Sequence, residues 1–255
     1  MRILLTNDDG INAPGFAVLE RIARTLSDDI TIVAPAEEQS GAGRSLTLTR
    51  PVRMRKMGEK RYAVAGTPTD AVMMALGHVM KDARPDLILS GVNRGANLAE
   101  DVGYSGTVSA AAEGALAGIR SVALSQIYAR RGIGEAATFE AAEAWGERAL
   151  RPLLDIDWAP RTLVNINFPA RMPDEVKGIR VAGQGLRDYG RLTIDERVDP
   201  RGFTYYWFDL AGVTPDTFTG ETDLETVRAG YVSVTPLHLD HTHRPSLAGL
   251  AGVYA

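Results

Sequence analysis

Met1-Arg2-Ile3-Leu4-Leu5-Thr6-Asn7-Asp8-Asp9-Gly10 opens the chain, and its reading decides the fold. An apolar run, Ile3 to Leu5, stops at two adjacent carboxylates and then a glycine. In an α/β protein such a strand lies inside the sheet, and ligands bind beyond its C-terminal end. Neighbouring side chains on a strand point to opposite faces. Asp8 and Asp9 therefore converge only if the chain leaves the strand there. Gly10 permits that departure because it takes positive φ at little cost. Two carboxylates side by side call for a compensating cation, and oxygen ligands suit a hard divalent ion. An acid-rich helix start or a plain turn is the other reading of this stretch.

Working outward, Ile11-Asn12-Ala13-Pro14-Gly15 is rich in turn formers. Phe16, Leu19, Ile22, Ala23 and Leu26 then recur at helical spacing. Ile30 to Ala34 reads as a second buried strand ending at Pro35. Strand, helix and strand in this order form a βαβ unit, with parallel strands and a right-handed crossover. The first loop lacks G-x-G-x-x-G, so the dinucleotide fingerprint is absent. The loop from Glu37 to Ser45, with Ser40 flanked by Gln39 and Gly41, leaves the sheet at the same edge as Asp8 and Asp9.

Leu46 to Thr49 and Val52 to Met57 read as strands, with Gly58-Glu59 turning into Arg61 to Val64 as a hairpin-like insertion. Gly66-Thr67-Pro68-Thr69-Asp70 starts a helix. Thr67 is placed to cap it, Pro68 suits its first position and Asp70 completes the cap. His78 within that helix reads as packed or half-exposed, not as a ligand. Pro85 to Gly91 is the next buried strand. It opens into a long, glycine-punctuated polar loop, Gly91 to Thr107, of the kind that carries function in a compact domain. Asn93 and Asn97 offer neutral oxygen and amide groups there. Ser105-Gly106-Thr107 leads into an alanine-rich helix that Gly118 ends. Hydroxyls and backbone N–H groups at a helix start form an anion site, although Ser105 or Thr107 also suits a plain capping role.

Ser121 to Ser125 is another strand, followed by a loop with Arg130-Arg131-Gly132. A long helix is expected from about Gly134 to Leu154, with Phe139, Ala142, Trp145, Ala149 and Leu153 on its buried face. Thr162 to Pro169 is a further strand, and the catalytic domain is expected to span 1–170. Residues 171–255 are expected to add a hairpin arm, a last strand and a C-terminal oligomerisation segment to the same compact unit. The arm comprises Arg191 to Val198 and Phe203 to Leu210, joined by Asp199-Pro200-Arg201-Gly202. Tyr205-Tyr206-Trp207-Phe208 puts aromatics on both faces of it, which suits docking on another subunit as well as burial within the chain. Thr222 to Val227 reads as a capped short helix and Tyr231 to Pro236 as the last strand. His238, His241 and His243 read as a solvated tail or a subunit contact, with metal binding the weaker alternative.

The totals narrow the function classes. The chain has 255 residues, 45% of them hydrophobic, and a formal net charge of -4. That balance gives no electrostatic footprint for a nucleic-acid duplex. With no cysteine, thiolate metal sites, disulfides and cysteine nucleophiles are excluded. No apolar run is long enough to span a membrane, and the N-terminus lacks the features of a secretory signal, so a cytoplasmic protein without a membrane partner is expected.

Asn7-Asp8-Asp9-Gly10, Gln39-Ser40-Gly41-Ala42, Ser90-Gly91-Val92-Asn93-Arg94-Gly95-Ala96-Asn97 and Tyr104-Ser105-Gly106-Thr107 together resemble the SurE (survival protein E) family of metal-dependent nucleotidases. The likeness extends to Gly66-Thr67-Pro68-Thr69-Asp70 and to Val232-Ser233-Val234-Thr235-Pro236-Leu237. It implies an α/β fold: a Rossmann-like three-layer parallel sheet with a C-terminal β-hairpin arm. It also implies one divalent ion, Mg²⁺ or Mn²⁺ with Ca²⁺ as an alternative, held by Asp8, Asp9, Ser40 and Asn93. Asn97, Ser105, Gly106 and Thr107 match the family's phosphate-side positions. The implied activity is hydrolysis of nucleoside 5'- and 3'-monophosphates, with release of terminal phosphate from short polyphosphate as a further one. Asp8 and Asp9 are the catalytic pair, one of them taking a proton from the attacking water; direct attack by Asp8 on phosphorus is the less favoured chemistry. The implied assembly is a dimer or tetramer formed through the C-terminal segment and the hairpin. Ala99 stands where the family usually has a further glycine. A binding module that senses metal and nucleotide without turnover is the alternative function.

Overall fold

A computed structural model describes residues 1–127, 139–187, 193–209 and 222–254. The opening stretch forms β1 (Ile3–Thr6), buried throughout. Then follow α1 (Pro14–Arg24), β2 (Ile30–Pro35), β3 (Arg53–Gly58), β4 (Arg61–Ala65), α2 (Pro68–Met74) and β5 (Leu87–Arg94). The chain continues through α3 (Gly106–Leu116), β6 (Arg120–Gln126), α4 (Glu140–Leu150) and β7 (Thr162–Phe168). The last third supplies β8 (Ile179–Val181), β9 (Thr193–Val198), β10 (Thr204–Asp209), α5 (Asp223–Arg228), β11 (Val232–His238) and α6 (Arg244–Ala251). Among the described residues, nine strands form one sheet in the order β3-β4-β2-β1-β5-β6-β7-β11-β8, and β9 and β10 form a separate antiparallel hairpin.

The pairs β2–β1, β1–β5, β5–β6 and β6–β7 are parallel; β11 runs antiparallel to β7. This is the three-layer, mostly parallel α/β sheet that the resemblance implied. Alternation of side chains builds the layers. Ile3, Leu5, Leu87, Leu89, Val122, Leu124 and Ile166 pack with Phe16, Leu19 and Ile22 of α1 and Ala142 of α4. Leu4, Val33 and Ile88, on the other face, pack with Val72 of α2 and Ala110 of α3. A third cluster joins Val108 and Ala111 of α3 to Ala123 and Leu163. Small side chains on α3 let that helix lie close to the strands. Strands β8 and β11 from the last third sit in the same sheet as the first 170 residues, so the two segments share a core.

Several local expectations need adjustment. Leu46 to Thr49 is not a strand. It is irregular backbone held by Asp70, whose Oδ1 accepts the Thr47 N–H (3.0 Å) and whose Oδ2 accepts the Thr47 hydroxyl (2.6 Å). A carboxylate replaces the ladder partner that the segment lacks. The helix expected from about Gly134 is described only from Glu140. It ends at Leu150, where a 3-10 turn, Arg151–Leu154, takes over around Pro152. Its expected start, the Arg130-Arg131-Gly132 loop, Arg191 and Leu210 lie outside the described residues. The helix at Thr67 fits its expectation: the Thr67 side chain accepts the Asp70 N–H, Asp70 accepts the Thr67 N–H, and Pro68 sits at the first position. His78 is exposed.

Asp70 thus joins a helix cap to a long loop. Burial pushes its carboxyl upward, but the hydrogen bonds from Thr47 and Thr67 outweigh burial and hold it below the ordinary carboxylate value. A carboxylate depressed in the folded state contributes stability above its unfolded pKa and loses it as pH falls through the folded one. Asp70→Ala should lower unfolding stability at neutral pH by roughly 1–3 kcal/mol in urea titrations. The gap between wild type and the variant should narrow as the pH drops below about 4. An unchanged midpoint at neutral pH would contradict this account.

Candidate active site

The chain leaves β1 as the sequence suggests. Gly10 has φ 95°, in the left-handed region that favours glycine. The Asn7 side-chain amide donates to the Gly10 carbonyl at 2.8 Å and closes the turn. A Cβ at Gly10 would also meet the Glu37 backbone at 3.1 Å, so the turn is pressed against the loop after β2. The Gln39 N–H donates to the Asp8 carbonyl at 2.8 Å and draws that loop over the carboxylates. On the other side the Arg94 N–H, at the end of β5, donates to Asp9 Oδ2 at 3.0 Å. The loops after β1, β2 and β5 therefore meet at one edge of the sheet, around Asp8 and Asp9.

The start of α3 completes the site. Thr107 is fully buried, and its hydroxyl donates to Asp8 Oδ1 at 2.5 Å. Gly106 lies so close that a Cβ there would fall 2.7 Å from Asp8 Cβ and 2.9 Å from Asp8 Oδ2. Glycine at this position is therefore a condition of close approach between helix and carboxylate. Ser105 is the N-cap: its hydroxyl accepts the Val108 N–H at 3.1 Å. The positive end of the helix dipole thus points at Asp8.

Asp8 is 4% exposed. Burial pushes its carboxyl up to about 6; the Thr107 hydroxyl opposes the rise and the neighbouring Asp9 adds to it. Burial also raises Asp9, against the N–H and guanidinium of Arg94 and with Glu38 adding to the rise. Two adjacent carboxylates are thus both held where ionisation is unfavourable, the arrangement a divalent cation relieves.

Of the other two residues matched to cation binding, Asn93 precedes Arg94 at the end of β5 and Ser40 follows Gln39 in the loop after β2. Asn93 is half-buried, and its amide nitrogen donates to the Gly95 carbonyl at 3.0 Å, which leaves its side-chain oxygen as the acceptor end. Ser40 is exposed, with its hydroxyl donating to Glu38 Oε1 at 2.9 Å. Two carboxylates with a hydroxyl and an amide oxygen form a hard, all-oxygen donor set. No group of three or more His, Cys, Asp or Glu suited to a metal occurs among the described residues, and the exposed His238, His241 and His243 form none. A cavity opens beside Asp9, walled by Ala13, Pro14, Gly15, Glu38, Arg94 and Phe139. Another cavity, lined by Arg120, Trp158 and Arg161 near the starts of β6 and β7, lies at the opposite end of these strands.

Asn97 is 6% exposed and more deeply set than its loop position suggests. Its side-chain amide donates to the Ser125 hydroxyl at 2.8 Å. Two residues on, Ala99 adopts φ 52°, a strained conformation for a residue with a Cβ. Both its peptide groups are held: the N–H donates to Asp223 Oδ2 (2.9 Å) and the carbonyl accepts the Gln184 amide (2.8 Å). Hydrogen bonds from the last third of the chain hold Ala99 in this conformation. Sequence reasoning missed Asp223 and Gln184, and also Asn165 and Asn167. The latter two carried one signal: polar side chains at alternate positions of an otherwise apolar, buried strand.

Comparison with known proteins gives the family. The family model "Survival protein SurE" matches residues 3–191. A protein of Rhizorhabdus wittichii named 5'-nucleotidase SurE is 70% identical over 254 residues, covering 100% of both chains. One of the same name from Erythrobacter litoralis is 58% identical over 248 residues, with 97% of each chain covered. The crystal structure of the SurE protein from Aquifex aeolicus superposes with a TM-score of 0.83 at 38% identity, covering 100% of both chains. A donor pair at the end of β1, the helix start pressed against it and full-length similarity of this strength lead to one conclusion: the chain belongs to the SurE family.

Proposed function

We propose that this chain is a phosphoric monoester hydrolase, a divalent-cation-dependent 5'-nucleotidase. Nucleoside 3'-monophosphates and the terminal phosphate of short polyphosphate are its further substrates. One observation carries the reading: Asp8, buried, and Asp9, half-buried, lie side by side at a strand end, with the start of α3 against Asp8. The names of the full-length relatives support the choice of ester.

Asp8, Asp9, Ser40 and Asn93 are the residues that would hold the cation. A bound divalent ion would supply charge neutralisation at the phosphate and a lowered pKa for water. The Ser105 hydroxyl, the Gly106 backbone N–H and the Asn97 amide take the phosphate oxygens, helped by the dipole of α3. Thr107, matched to the phosphate side by sequence, instead gives its one hydroxyl proton to Asp8 and holds that carboxylate. Water attacks phosphorus and Asp8 or Asp9 accepts the proton that the water loses. The ester P–O bond breaks, and the departing nucleoside oxygen takes up a proton from solvent to leave as the alcohol. Asp8 is poorly placed to attack phosphorus itself, being 4% exposed and bonded through Oδ1 to Thr107. The cavity walled by Pro14, Arg94 and Phe139 receives the nucleoside.

The same reading includes a homodimer or homotetramer. Trp207 and Phe208 on the β9–β10 hairpin are 61% and 70% exposed. No residue of α6 is buried against the rest of its own chain. Apolar surface on that scale marks an association face. Among the described residues no helix is long and apolar enough to cross a membrane.

Purified protein with Mg²⁺ or Mn²⁺ should release phosphate from nucleoside monophosphates and stop when EDTA is added. Asp8→Asn should reduce kcat by roughly two orders of magnitude or more. Normal turnover by that variant, or labelled phosphate trapped covalently on Asp8, would contradict the mechanism. Sedimentation should give a particle of two or four 27.5 kDa chains, and Trp207→Asp should shift it toward the single chain. A single-chain particle for the wild type at micromolar concentration would overturn the assembly.

A further inference from the structure

Strand β7 reads Thr162-Leu163-Val164-Asn165-Ile166-Asn167-Phe168. Val164, Ile166 and Phe168 face the α1/α4 layer and its core. Leu163, on the opposite face, packs with α3. Further along that same face come Asn165 and Asn167, both fully buried. Asparagine is depleted in strands, and burying a primary amide costs free energy unless every polar atom finds a partner. Asn165 Oδ1 has no hydrogen-bond partner among the described residues. A strand built for stability alone would carry apolar side chains at both positions, as at Leu163. Where a sequence breaks a local rule of this kind, the reason is usually functional.

The partners identify the reason. Asn167 Oδ1 accepts the Asn97 N–H at 2.9 Å, and Asn167 Nδ2 donates to the Asn97 carbonyl at 3.1 Å. Asn165 Nδ2 donates to the same carbonyl at 2.7 Å. Both backbone polar groups of one loop residue are thus held by side chains from a strand some 70 residues away in sequence. Ser125, which pairs with Asn167 between β6 and β7, takes the Asn97 side chain. The hydrogen bonds of Asn165, Asn167 and Ser125 in this socket converge on the backbone and side chain of Asn97.

We propose that Asn165 and Asn167 are positioning residues for phosphate binding, fixing Asn97 and the loop between Asn93 and Ser105 from beneath. The proposal rests on the phosphate-side role given to Asn97 above. Rigid support of this kind matters because small misplacements of binding groups carry large kinetic costs. The specific chemistry is the pairing of a primary amide with a peptide group. An aspartate at position 167 keeps the acceptor for the Asn97 N–H but sets a carboxylate oxygen against the Asn97 carbonyl.

The test uses the full-length protein with Mn²⁺, Asn167→Asp and Asn165→Val, and Asn97→Ala in parallel. For each, KM and kcat for a nucleoside 5'-monophosphate, inhibition by inorganic phosphate, Mn²⁺ affinity and melting temperature are measured. Asn167→Asp should raise KM and the phosphate inhibition constant together, by about ten- to a hundredfold, with Mn²⁺ affinity unchanged. Asn165→Val, which removes one donor only, should shift both constants less and in the same direction; it also carries the test if Asn167→Asp does not fold. A fall in melting temperature with KM and phosphate inhibition unchanged would show a purely structural pair and overturn the proposal. If Asn97→Ala weakens phosphate binding while both β7 variants leave it intact, the proposal fails and the role of Asn97 stands. If all three leave it intact, the role of Asn97 fails and the proposal falls with it. If the β7 variants weaken phosphate binding and Asn97→Ala does not, positioning is upheld and the loop backbone replaces the Asn97 side chain as the phosphate contact.

Discussion

The constraint on which the rest of this structure depends is a pair of adjacent carboxylates, Asp8 buried and Asp9 half-buried, at the end of a central strand. Asp8 and Asp9 repel one another, and water is largely excluded from Asp8. A protein meets such a cost with positive dipoles, hydrogen-bond donors and a cation. The surroundings supply the first two. Thr107 donates its hydroxyl, α3 presents its positive end, and the Arg94 N–H reaches Asp9. These donors do not offset burial fully: burial, with Asp9 adding to it, leaves the Asp8 carboxyl raised to about 6, and a divalent ion would favour the charged form.

Topology explains why donors so distant in sequence meet. β1 lies between β2 and β5, so the loops after all three leave the sheet at the same edge. α3 packs over β5 and β6 with its first turn directed back at β1. Strand β7 and the last third of the chain together brace the loop between Asn93 and Ser105 from beneath. Asn165 and Asn167 hold Asn97; Asp223 and Gln184 hold Ala99; Arg187 pairs with Asp101 at 2.8 Å. Asp223 and Gln184 flank the hairpin on either side of its sequence. The active-site loop and the roots of the arm are therefore parts of one hydrogen-bonded assembly.

Much of this was legible in the sequence, and the limits have physical causes. The turn at Gly10, the cap at Thr67 and the cap at Ser105 are local, and residue type decides them through φ and hydrogen-bond reach. The parallel sheet followed from the spacing of apolar runs. Leu46 to Thr49 looked like a strand because its alternation is right, yet a single buried carboxylate, Asp70, gives it a different partner. The premature end of α4 reflects Pro152 in the turn that follows it. Asn165 and Asn167 escaped notice because period-two polar residues in a strand look like an ordinary solvated face. Only the strand order shows that this face is covered. Asp223 escaped notice because it reads as an acid in the first turn of a short helix, whereas its carboxylate is spent on the backbone of a distant loop.

The central claim is that Asp8 and Asp9 form a strained anionic pair built for a divalent cation. The most direct measurement is thermal unfolding of wild type and Asp8→Asn, with and without Mn²⁺, across pH. A carboxyl raised in the folded state lowers stability as pH rises from about 4 through about 6. In cation-free buffer at neutral pH, Asp8→Asn should therefore be at least as stable as wild type, with an advantage of up to about 3 kcal/mol that vanishes below pH 4. Mn²⁺ should raise the melting temperature of the wild type and leave that of Asp8→Asn nearly unchanged. A wild type indifferent to Mn²⁺, or a cation-free variant less stable than wild type at neutral pH, would contradict the account.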